Sequence, residues 1–234
     1  MVFFGGSLKN MSFNAPVPTA AITPDGPPTY IYVAGGTVEN VDVYGSGGDY
    51  GLTEAKYQGA RTMLWLEQTA AKNLSIQAMP PIAVITSNGA EAFVAAYVTG
   101  SLISCFVVEN VYVEDADIGI LVNNADRVKV LCSRVNGYNL YGTAIVGSRN
   151  IECDVIVGAS ASVLAESDGF LVTDTIPSVF SGGAQDCVNI RVHGSVEGDM
   201  SPADIGVLVL DADGTRAFTN IVIDDELMEA TLKA

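Results

Sequence analysis

A four-residue unit recurs along this chain: Asn, an apolar residue, any residue, then a second apolar residue. It reads Asn40-Val-Asp-Val43, Asn73-Leu-Ser-Ile76, Asn110-Val-Tyr-Val113, Asn150-Ile-Glu-Cys153, Asn189-Ile-Arg-Val192 and Asn220-Ile-Val-Ile223, with Arg127-Val-Lys-Val130 as a copy lacking the Asn. Alternate apolar residues share one face of a β-strand, and a strand this short cannot bury a face alone. Each unit must therefore stack on its own copies. A second apolar run precedes several of them, as in Thr62-Met-Leu-Trp-Leu66, Gly119-Ile-Leu-Val122, Thr143-Ala-Ile-Val146, Gly169-Phe-Leu-Val172 and Gly206-Val-Leu-Val209.

Copies starting at 40, 73, 110, 127, 150, 189 and 220 place one turn of the stack near the shorter spacings, with loops or an unmarked turn in the longer ones. Ile82-Ala-Val-Ile85 with Phe93-Val-Ala-Ala-Tyr97 is the candidate extra turn. Roughly 20 to 25 residues per repeat, with two or three short strands in each, is how a parallel β-helix reads. Asn before the first inward residue suits a tight corner, because Asn tolerates the left-handed backbone and its amide can bond along the stack. The Asn copies therefore indicate structure rather than catalysis.

Composition agrees. Hydrophobic residues make up 49% and charged residues 16%, with 24 glycines, so polarity is carried by turns and neutral side chains more than by charged helices. A net charge of −16 repels nucleic-acid phosphates and anionic membrane surfaces, so neither is an expected partner. The four cysteines lack C-x-x-C spacing. Cys132 and Cys153 fall in the apolar alternation and are expected to point inward as small hydrophobes, with no disulfide, metal or other cofactor. Met1-Val-Phe-Phe-Gly-Gly6 lacks the basic start and long apolar core of a secretion signal, and free cysteines fit a reducing cytoplasm at synthesis.

Three regions are expected. Residues 1–28 carry Pro16, Pro18, Pro24, Pro27 and Pro28 and read as an extended arm, with Phe3, Phe4 and Phe13 to dock on a partner. Residues 29–224 form the β-helix. Residues 225–234 form a short capping helix, with acids at its start and Lys233 at its end. A rival helix over 52–71 is opposed by Gly59 and the dense Met63-Leu-Trp-Leu66.

The repeated Asn units across residues 37–224 resemble the right-handed parallel β-helix superfamily, which includes pectate lyases, polygalacturonases and bacteriophage tailspike or tail-fibre proteins. The resemblance lies in the repeat and omits the enzymes' signatures. The only histidine stands in Val192-His-Gly194 with no preceding Gly, Asp224-Asp225 follows it instead of preceding it, and Arg-Ile-Lys is missing. Eleven basic residues in an acidic chain also suit an anionic polymer poorly.

If the first apolar residue of each unit faces in, the third and fifth positions face out. The outward pairs then include Tyr112 with Glu114, Glu152 with Asp154, Arg191 with His193, and Val222 with Asp224. In register, Glu152 and Asp154 approach Arg191 and His193. Two carboxylates on one face, one kept protonated, are what glycoside hydrolysis needs, so Glu152, Asp154 and Asp224 are the catalytic candidates. Tyr112, Tyr138, Arg191 and His193 are the candidates for binding a surface glycan. Asp211-Ala-Asp-Gly214 reads as a polar turn, because it lacks the spaced acids of a calcium loop.

The expectation from sequence is an oligomeric structural component of a bacteriophage particle, a capsid decoration or tail-associated protein. It would be a trimer, located in the virion and held to other virion proteins by residues 1–28. A polysaccharide-degrading or glycan-binding protein is the alternative.

Overall fold

The computed structural model describes residues 1–15, 29–45, 61–77, 93–158, 168–175, 185–197, 205–212 and 214–224. They form ten strands: β1 (Val2–Phe4), β2 (Ser7–Ala15), β3 (Thr29–Gly45), β4 (Arg61–Gln77), β5 (Phe93–Val146), β6 (Arg149–Val157), β7 (Asp168–Thr173), β8 (Cys187–Val196), β9 (Ile205–Leu210) and β10 (Phe218–Ile223). Each pairing between two of these strands is parallel. This is the parallel β-helix that the repeat implies, all-β across the described residues, with each coil stacked on the one before.

Inward residues from successive coils build the lumen as aliphatic columns. Val41, Leu74 and Val111 stand in register, as do Val128, Ile151, Ile190 and Ile221. All of them belong to one core cluster or pack against it. A second buried cluster, of Val94, Tyr97, Ile118, Leu121, Ala144, Val146 and Leu171, is separate from the lumen.

The Asn corners behave as the side chain dictates. Asn40, Asn73, Asn110, Asn150, Asn189 and Asn220 all have φ between 53° and 56°. Their Nδ2 groups donate down the stack: Asn40 to Asn10, Asn73 to Asn40 and Asn110 to Asn73, each at 2.8 Å, then Asn150 to Asp126, Asn189 to Asn150 and Asn220 to Asn189 at 2.7–3.0 Å. These are two ladders at different corners. Val111 N–H donates to Ser133 Oγ, so the coil after Asn110 turns at Cys132 (φ 50°), while Arg127 (φ 60°) stacks under Asn150. The 17-residue step from Asn110 to Arg127 is therefore not a coil. Single coils advance by 22 or 23 residues here and by 27 to 39 elsewhere, as in Tyr141 to Asp168, Val2 to Tyr32 and Ile151 to Ile190.

Several expectations are corrected. The solenoid begins at Val2 rather than at residue 29: β1 and β2 pair with β3, and Asn10-Met-Ser-Phe13 is an eighth copy of the repeat. Residues 2–15 are thus the first coil and not an extended arm. The proline-rich 16–28 and the capping helix over 225–234 lie outside the described residues. So does Ile82–Ile85, and Phe93–Thr99 stacks on Arg61–Glu67 within one ordinary coil. From Arg61 onward the rival helix is strand β4. Cys153 is buried as expected, but Cys132 is exposed, because the left-handed corner there breaks the alternation that Val128 and Val130 begin.

Candidate functional site

The outward residues of β5, β6, β8 and β10 form one patch over four coils. Lys129, Glu152, Arg191 and Val222 are successive partners in one column. Asp154 pairs with His193 in the next, and Asp224 follows, with His193 Nδ1 3.4 Å from Asp224 Oδ2. The sequence-derived adjacency of Glu152 and Asp154 with Arg191 and His193 is therefore real, and the 39-residue step from Asn150 to Asn189 is one coil. Positions two apart on a strand share a face, about 7 Å from each other, so Glu152 and Asp154 stand side by side.

Electrostatics decide what this patch can do. Glu152 meets Lys129 Nζ at 2.5 Å. That hydrogen bond, ahead of the nearby His193 and Arg191, holds the Glu152 carboxyl below the usual carboxylate range. Lys129 is pushed up by the same contact. Glycoside hydrolysis needs one carboxyl held protonated, and Glu152 is held the other way. The column alternates in sign: cation, anion, cation. A second column, Lys9, Glu39, Lys72 and Glu109, does the same, with Lys9–Glu39 at 2.7 Å and Lys72–Glu109 at 3.2 Å. Alternation of this kind relieves like-charge repulsion between rungs less than 5 Å apart.

Other candidates separate. Tyr112 is exposed and its hydroxyl accepts from Asn136 Nδ2 at 3.2 Å, but it stands in the column of Asp42 and Ser75, around a corner from Glu152. Tyr138 is wholly buried, which removes its ring from any surface. Phe3 and Phe13 pack against this chain's own core, and only Phe4, 76% exposed, stays available. Asp211 Oδ1 accepts Gly214 N–H at 2.8 Å, the polar turn expected. Among the described residues, no group of three or more His, Cys, Asp or Glu side chains is placed to hold a metal ion.

An aromatic ladder on the outer face of the first coils escaped the sequence reading. Phe4, Tyr32, Trp65 and Tyr97 stack with centroids 6.1, 4.9 and 4.9 Å apart. Their polar ends are engaged: the Tyr32 hydroxyl donates to Glu67, Trp65 Nε1 to Thr99 Oγ1 at 2.8 Å, and Asn123 Nδ2 donates to the Tyr97 hydroxyl at 2.9 Å. The Glu67 contact pushes the Tyr32 phenol up to about 12. The signal was present in the spacing, since Tyr32, Trp65 and Tyr97 recur at 33 and 32 residues. A buried acid was also missed: Asp174, almost wholly buried, accepts Ala212 N–H at 2.7 Å and so fastens the next coil's turn.

No family model matches the chain, and no curated protein matches it. Among solved structures, the chain is similar to the A-module of mannuronan C-5 epimerase AlgE4 from Azotobacter vinelandii, with a TM-score of 0.33 and 12% identity, over 95% of this chain and 76% of that one.

Proposed function

We propose that this chain is a non-enzymatic structural component of a bacteriophage particle, a β-helical building block that assembles as a trimer and joins other virion proteins. The observation that carries the reading is where apolar surface remains. Of nine exposed large apolar side chains among the described residues, Met1, Val2, Phe4 and Met11 lie in or beside the first coil and Val209, Leu210 and Val222 in the last described one, which leaves two on the flanks. The flanks are laced by paired charges, whereas the ends stay adhesive. That distribution suits a unit joined to other units. A capsid-decoration and a tail-associated role both use it.

One observation favours the second reading, action on a polysaccharide: Asp154 and Asp224 flank His193 on successive coils. A single experiment separates the two. The purified chain is sized by light scattering and incubated with a panel of bacterial surface polysaccharides, beside an Asp154→Asn/Asp224→Asn variant. A trimer that cleaves nothing is the expected outcome. Cleavage abolished in the variant would replace the structural reading with the enzymatic one, and a monomer without cleavage would defeat the trimer.

A further inference from the structure

Strands β1 and β2 pair only with β3 among the described residues, so no described strand takes up the backbone N–H and C=O groups along their outer edge. Natural edges are blunted by proline, several lysines or a bulge. Residues 2–15 contain no proline and one lysine. Apolar side chains stay in water along this edge, with Val2 57% and Met11 44% exposed beside Phe4.

Two side-chain columns give the edge a direction and a chemistry. Each of Asn40, Asn73 and Asn110 donates Nδ2 to the Oδ1 of the coil before it. Asn10 accepts from Asn40, but its own Nδ2 meets no protein acceptor among the described residues. In the charged column, Lys72 stands between Glu109, its ion-pair partner, and Glu39, whose carboxyl it helps to lower. Lys9 opens that column with an acid on one side only. The edge thus offers an amide donor at the corner, a cation immediately before it, and apolar residues on both sides.

We infer that the first coil is a docking edge for one further parallel β-coil supplied by a partner protein, carrying an acid, then Asn or Asp at the corner, then alternating apolar residues. The added acid would complete the alternation at Lys9, and the corner oxygen would accept from Asn10. This chain's own rungs Glu39-Asn40-Val-Asp-Val43 and Glu109-Asn110-Val-Tyr-Val113 show what such a coil looks like. A second copy stacked end to end is a poor occupant. Its last rung, Thr219-Asn220-Ile221, has Thr in place of the acid, and Asn220 belongs to the other ladder. The inference deepens the building-block reading by naming a partner's chemistry, yet its test needs neither particle nor trimer, so the two can fail separately.

The probe is a labelled synthetic peptide of residues 29–45, the strand that pairs with both β1 and β2, titrated against the full chain by fluorescence anisotropy. Saturable binding is expected. It should weaken at least tenfold with Glu39→Lys in the peptide or with Lys9→Glu in the protein, and recover when both are combined. The Asn10→Gly protein, which keeps the left-handed corner, should lose binding severalfold. No binding to the native chain, or binding indifferent to the charge exchange, would overturn the inference. A self-associated mass that falls in the Lys9→Glu protein would also overturn it, by making the occupant a second copy.

Discussion

Asn73 carries two jobs at one position: it holds a φ of 55° that most side chains resist, and it bonds Asn40 on one side and Asn110 on the other. These separate by substitution. Asn73→Gly keeps the backbone and loses the two amide bonds, a cost of about 1 kcal/mol for partly solvated groups. Asn73→Ala adds the left-handed strain, about 1–2 kcal/mol more. Urea denaturation of the two variants checks the order, and an alanine variant no less stable than the glycine one would show that the corner is not strained. Most of this was legible, since only an Asn recurring before an inward residue satisfies both demands. Arg127 was legible as a corner only from its place in the repeat, and Cys132 was not legible at all. Nothing in either residue type favours a positive φ, and the coils on both sides impose it.

At the scale of strands, glycine does what the alternation alone did not reveal. Gly119, Gly142 and Gly169 each face a valine side chain: a Cβ on Gly142 would overlap Val157 Cγ1 and lie 2.7 Å from the Gly169 carbonyl, and Gly119 meets Val135 in the same way. Space, rather than backbone freedom, requires glycine at these positions. Gly142→Ala should cost about 1–3 kcal/mol by overpacking. Paired with Val157→Ala, it should cost less than the sum of the two single changes, because the smaller side chain makes room. Urea denaturation of the three variants measures the coupling, and strict additivity would place the clash elsewhere. The sequence showed Gly119, Gly169 and Gly206 opening their runs, and Gly142 completes the set immediately before Thr143. The first coil was harder to see. Asn10-Met-Ser-Phe13 obeys the repeat, but the prolines that follow it drew residues 1–28 into one arm. The patch around His193 was legible because register follows from the repeat, whereas the Glu152–Lys129 pair that keeps the acid ionised required knowing which rung lies beneath.

Across the whole molecule, stability is passed from coil to coil. Each rung of a solenoid touches only its neighbours, so an interior coil is held on two sides and a terminal one on one. Here β5 and β6 are buried on their lumenal side, whereas Val207, Ile221 and Ile223 at the far end are only partly covered and Val209 is exposed. Among the described strands, β10 pairs with β8 alone and β9 with β7 alone. Opening β9 and β10 therefore breaks one interface, while opening the coil at Val128–Val135 breaks two. Amide hydrogen exchange followed by mass spectrometry should show peptides over 205–210 and 218–223 exchanging through openings of lower free energy than those over 128–135. Equal protection along the chain would mean that the terminal rungs are held by contacts other than a neighbouring coil, and that the solenoid opens as one unit. Graded protection would make the ends the first places to yield and, for the same reason, the places where a partner's coil gains the most by docking.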